Sequence, residues 1–188
     1  MLMACYALLN KKEAKYDFQT YRHFIMNDNQ ALPKAIQIIQ GLLHAGQLQQ
    51  IIDYIDNQSD ELKSATQIQK IRALVLMKLQ RYAEARDTLL RVNSQNPMQH
   101  DVKHNLAFVC RQLNEFEPAI EYAQSALEQA PEVVKYNLYL SLLHKENNQI
   151  LKAVQVLRIA LLNGVNDDEL TCEFAALLNT TYEPQEAL

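Results

Sequence analysis

Helix breakers are scarce in this chain: 188 residues include three glycines, five prolines and no tryptophan. So few turn formers exclude a turn-rich β architecture, which needs Gly, Asn and Pro at short intervals. The expected class is therefore all-α. Cys5, Cys110 and Cys172 are odd in number, far apart and without CxxC spacing. That pattern speaks against a disulfide framework or a metal knuckle and suits a reducing, cytoplasmic compartment. No apolar run approaches the roughly 18 residues needed to span a bilayer. The opening MLMACYALLNKK has no basic segment ahead of its short apolar stretch. A net charge of -4 and the lack of a basic-aromatic strip exclude nucleic acid as the expected partner. No basic amphipathic helix supports membrane binding.

What the chain does have is a period. QRYAEARDTLLRVNSQNP (80–97), NEFEPAIEYAQSALEQAP (114–131) and NQILKAVQVLRIALLNGV (148–165) are offset by 34 residues. Tyr82, Phe116 and Ile150 align as large apolar residues, Ala85, Ala119 and Ala153 as small ones, and Pro97 and Pro131 as stops. One step earlier, GQLQQIIDYIDNQSDELK (46–63) aligns Leu48 with the large site and Ile51 with the alanine, a degenerate copy. Within a unit the apolar spacing is helical, with Val75, Leu76 and Leu79 on one segment and Tyr82, Ala85, Leu89 and Val92 on the next. Two helices of about 12 to 14 residues fill the period, and a helix pair that cannot bury its apolar face alone must stack on its neighbours. Ala119, Ala123 and Ala126, at i, i+4 and i+7, let helix backbones approach to the short end of the 8 to 10 Å interaxial range. Pro118 is tolerated in the first turn, and Pro131 ends the helix.

The pattern resembles the tetratricopeptide repeat: 34 residues, small residues early in helix A (Ala73, Ala107, Ser141) and in helix B (Ala85, Ala119, Ala153), and a closing proline. It departs from that repeat where Gln69, Lys103 and Asn137 replace a bulky aromatic, where Arg72 replaces an apolar residue, and where Val165 replaces the third proline. The resemblance implies a right-handed superhelical solenoid of antiparallel helix pairs. Its expected parts are an N-terminal helical extension (1–31), a degenerate repeat (32–65), three units within 66–165 (66–99, 100–133, 134–165), and a capping helix with tail (166–188). In the extension, Met3 to Leu9 and Tyr16 to Met26 read as helical patches that cap the first repeat, form a degenerate pair or mediate homo-oligomerisation. DDELTCEFAALLNTTY (167–182) reads as a final helix that follows a stop at Gly164, has acidic residues at its N-terminus and covers the last repeat's apolar edge. Leu2-Met3-Ala4-Cys5 is similar to a bacterial lipobox, but a working one needs an apolar helix upstream, so lipidation is not expected unless the natural start lies earlier.

Chemistry finds little support. There is no Gly-rich phosphate loop, no GxSxG and no locally activated cysteine, so no enzyme, cofactor or metal is expected. His100 and His104 lie four residues apart on one helical face, a zinc-protease spacing that lacks the glutamate and a third ligand. They read as a helix-start and a groove-facing histidine, and Cys110 reads as core.

Binding is better supported. In the resembled family, helices A line a concave face. Leu74, Phe108 and Leu142, eleven residues before each helix-B alanine, point to it by resemblance, with Ile71, Leu138 and Tyr139 beside them. The alternative is that part of this stripe is inter-repeat core. The three helix-A segments carry Lys70, Arg72, Lys78, Lys103, Arg111, Lys135 and Lys145 against Asp101 and Glu146, a balance of +5 that favours a partner with carboxylates. Some of these lysines must point outward. The resemblance also offers a carboxylate clamp, of which Lys70, Asn105 and Lys135 match, while Leu74 and Tyr139 depart from it. The expected groove set is Lys70, Ile71, Leu74, His104, Asn105, Phe108, Arg111, Lys135, Leu138, Tyr139 and Leu142. The function implied is a non-enzymatic scaffold that holds a peptide or amphipathic helix of another protein. The alternative is a holding chaperone similar to the class II chaperones of type III secretion, whose middle repeat CRQLNEFEPAI (110–120) resembles.

Overall fold

The computed structural model describes the backbone of residues 18–182 and the side chains of residues 30–180. The patch at Met3 to Leu9, the lipobox-like residues and Tyr16 lie outside the described residues. Among the described residues the chain is all helical, with ten helices and no strand. It divides into two compact units, Met1–Leu62 and Lys63–Leu188.

In the first unit, α1 (Phe18–His44) packs against α2 (Leu48–Asp56); the short α3 (Asp60–Ser64) spans the boundary between the units. Ala35 and Ile39 of α1 and Ile51, Ile52 and Ile55 of α2 are buried. The helix α1 passes without interruption through residues 31 and 32, where the sequence reading divides extension from degenerate repeat, and it contains Pro33.

The second unit is a solenoid of helix pairs: α4 (Thr66–Lys78) with α5 (Tyr82–Gln95), α6 (His100–Gln112) with α7 (Phe116–Gln129), and α8 (Val134–Glu146) with α9 (Ile150–Leu162). Each pair packs internally, and α5 packs on α6 and α7 on α8. The period reaches into the backbone dihedrals. Gln80, Asn114 and Asn148 adopt φ of 59, 61 and 56°, in the left-handed region where non-glycine residues are rare. Gly46 in the first unit, one period earlier, has φ of 70°. All four turns close the same way: Arg81 N–H donates to Leu76 O, Glu115 to Cys110 O, Gln149 to His144 O and Gln47 to Leu42 O, at 2.8 to 2.9 Å. This is the 6→1 bond of a Schellman cap, which satisfies carbonyls that a helix end otherwise leaves orphaned.

The small residues do what their spacing implies. Ala73, Ala85, Ala107, Ala119, Ala126 and Ala153 are fully buried, and Ser141 donates from Oγ to Ala153 O across the last helix pair at 3.3 Å. Cys110 is buried beside Ala107, Ala119, Ala123, Leu140 and Leu143, and burial pushes its thiol up to about 11. The closing helix α10 (Asp168–Tyr182) starts at Asp167, whose Oδ1 accepts from the N–H groups of Glu169 and Leu170. Its Leu170 and Leu177 are buried with Ala153, Val154, Leu157 and Ala160, so it covers the last pair's apolar edge.

Candidate functional site

The A helices α4, α6 and α8 carry every residue of the expected groove set. None of the eleven is fully buried. Leu74 is 44% exposed, while Phe108 and Leu142, in the same column of the repeat, are half-buried. Phe108 meets Tyr82 of α5 edge to face, with ring centroids 6.3 Å apart, so one side of its ring is anchored. Ile71 and Asn105 are half-buried as well.

An aromatic cluster joins α6 to α8. The His104 ring lies 4.8 Å from Tyr136 and 5.0 Å from Tyr139, while His100 accepts or donates at Nδ1 to the Tyr136 hydroxyl at 2.8 Å. Lys135 stands over the Tyr136 ring at 5.2 Å, within cation–π range. Burial, aided by Lys135, lowers the His104 imidazole to about 4, so it is neutral near pH 7. Burial pushes Tyr139 up to about 12, with Arg111 opposing. The guanidinium of Arg111 is directed to Glu146 and also acts on the buried Tyr139 hydroxyl. Tyr136 is the contact that sequence reasoning missed. It occupies the core column of Ile68 and Val102, where a tyrosine is the visible signal because its hydroxyl must find a partner when buried.

Two expectations change. Leu138 packs onto the cluster that α9 forms with the closing helix, so part of its side chain is committed to the cap contact. The basic balance is also partly consumed by ion pairs that step from one helix to the next. Lys70 meets Asp101 at 2.5 Å, Arg111 binds Glu146 through both Nε and Nη2, and Lys145 meets Glu173 at 2.9 Å. Lys103 turns to Ser125 Oγ of α7 at 2.6 Å. Of the three clamp matches, Lys70 is therefore engaged within the chain, Asn105 is half-buried and Lys135 is exposed. A net count of charges along a helix cannot register such pairing. Among the described residues no three His, Cys, Asp or Glu side chains converge as a metal site would require, and no helix is long and apolar enough to cross a membrane.

The model of the tetratricopeptide repeat family matches residues 100–133. Among solved structures, MamA 41-end from Desulfovibrio magneticus RS-1 is similar at 19% identity and a TM-score of 0.65, over 71% of this chain and 76% of that one. The MamA RS-1 ArsTM double mutant is similar at 18% identity and a TM-score of 0.66, over 81% and 82%. A further crystal structure of MamA gives 17% identity and a TM-score of 0.63, over 76% and 84%. At these identities the likeness is one of fold. No curated protein matches the chain. The 34-residue frame, the recurring left-handed turn, the matched repeat and the fold of these structures agree: residues 100–133 form a tetratricopeptide repeat, set in an all-helical solenoid of the same fold.

Proposed function

We propose that the chain is a non-enzymatic adaptor that holds a peptide or amphipathic helix of a partner protein against α4, α6 and α8. The observation that carries this reading is the column Leu74, Phe108 and Leu142, exposed at Leu74 and half-buried at the other two, one large apolar side chain per helix A at a fixed period on a solenoid. A preformed surface lowers the ordering entropy that opposes binding, and apolar anchors at regular spacing suit an amphipathic helix. Lys135 offers the partner one exposed cation beside the His104, Tyr136 and Tyr139 rings. The ion pairs of Lys70, Arg111 and Lys145 support register between helices more than recognition.

The test is affinity capture from native extract with wild type, Phe108→Glu and Leu74→Glu side by side. Each is checked for helicity by circular dichroism, and bound proteins are identified by mass spectrometry. A charge placed in the apolar column leaves both variants helical and removes the partner. Equal recovery on all three moves the function off this face. Retention of many unfolded clients in place of one folded partner supports the holding-chaperone reading.

A further inference from the structure

The opposite side of the solenoid carries a pocket between α7 and α9 with a volume of about 380 Å³, within the roughly 300 to 1,000 Å³ of ligand pockets. Its walls include Leu127, Val156 and Ile159, and its floor is α8, through Asn137, Leu140 and His144. One repeat earlier, the same columns between α5 and α7 carry larger side chains that reach one another. There Lys103 reaches Ser125 Oγ at 2.6 Å, and Tyr122 stands where Val156 stands later. In the first pair the same two columns also meet, Arg91 donating to Gln69 Oε1 at 3.4 Å. The third pair breaks the pattern. Asn137 turns back to donate to Pro131 O and Val133 O, and its column partner is the apolar Ile159. The shorter side chains at 137 and 156 leave the space open.

The floor carries a polar group that the fold does not require. His144 occupies the core column of Leu76 and Cys110 and is 7% exposed. Its Nδ1 lies 2.9 Å from Gln149 Oε1, an acceptor, so Nδ1 bears the proton and Nε2 is an acceptor with no bond from any described residue. Burial keeps this imidazole below its usual range, Lys152 adding to the effect and the Gln149 bond opposing it. Of the wall residues, Ile159 is 48% exposed; Leu162 at 79% and Leu151 at 77% are exposed elsewhere on α9. Apolar wall residues and a histidine acceptor on the floor, with Gln124, Glu128, Lys152, Gln155 and Asn163 completing the lining, together define an amphipathic guest.

We infer that this pocket receives a tyrosine side chain of a partner protein, its ring against Leu127, Val156 and Ile159 and its hydroxyl donating to Nε2 of His144. The site is separate from the A-helix face and does not depend on it.

Nuclear magnetic resonance titration of the full chain with N-acetyl-tyrosinamide and N-acetyl-phenylalaninamide tests the assignment. Saturable shifts of the His144 ring and Ile159 methyl signals are expected with the tyrosine amide, and roughly 3- to 10-fold weaker binding with the phenylalanine amide. Val156→Tyr fills the space as Tyr122 does and abolishes both titrations, with Val156→Phe as the second filling variant. His144→Leu equalises the two amides. Overturning results are the absence of saturable shifts at the pocket, equal affinity of the two amides for wild type, or undiminished binding to a folded filling variant.

Discussion

The space between α5 and α7 and the space between α7 and α9 share one backbone plan and differ in what fills them. The left-handed turns at Gln80, Asn114 and Asn148 have φ values within a few degrees of one another. Yet Lys103, Tyr122 and Ser125 close the first space, while Asn137, Val156 and Ile159 leave the second open. The repeat therefore sets where the helices run, and a few side chains outside the frame set which surface stays available. Specificity in such a scaffold lies in departures from the repeat.

The largest expected difference between the two spaces concerns overpacking. Ala126 is fully buried against Ala130 and Tyr136, so Ala126→Leu destabilises the fold by about 1 to 3 kcal/mol. Ala160, one period later, is buried in the cluster of α9 with α10 but also borders the pocket, so Ala160→Leu costs less than Ala126→Leu, toward the lower end of about 1 to 3 kcal/mol. Urea denaturation compares the two, and equal losses break the comparison. Next in size, Tyr122→Val opens the closed space and costs about 1 to 2 kcal/mol, whereas Val156→Tyr is neutral to within about 1 kcal/mol. Thermal melts of both variants check this. Lys103→Ala removes the bond to Ser125 and costs about 0.5 to 1.5 kcal/mol. Asn137→Ala, on a side chain already turned to loop carbonyls, leaves the outline of the pocket unchanged in a crystal structure of the variant.

A pH series sharpens the contrast between the two sides of the solenoid. His104 has its folded value lowered to about 4 from an ordinary 6.5, so in that interval the unfolded chain binds more protons than the folded one. Its share of stability is complete above about pH 6.5, falls as pH drops toward 4 and is lost below that. His104→Gln flattens that portion of the curve relative to wild type. Carboxylates titrating in the same range, including Asp101 and Glu146 with their lowered values, remain common to both proteins.

The frame was legible because helix pairs repeat at a fixed period and small residues, alanine in all but Ser141, mark the close crossings of the three units. The left-handed turn was not singled out in the sequence, although Gly46, Asn114 and Asn148, residues that tolerate φ > 0, recur at that period, with Gln80 the one unmarked position. The start of α10 also followed from an acidic residue at a helix N-terminus. The basic inner face read less well, because Lys70, Arg111 and Lys145 find carboxylates 28 to 35 residues away, beyond any local spacing rule. Leu138 looked like its neighbours on the helix, and only the position of α10 assigns it to the cap contact. The pocket was illegible for a different reason. It depends on where the Asn137 side chain turns, and sequence alone does not reveal a rotamer.

The central claim is that the partner lies along α4, α6 and α8. Site-specific photocrosslinking tests it most directly, with benzoylphenylalanine replacing Leu74 on α4 in one protein and Leu90, also exposed but on α5, in another. A crosslinked partner from position 74 and none from position 90 is the predicted result. A crosslink from position 90 with none from position 74 contradicts the account.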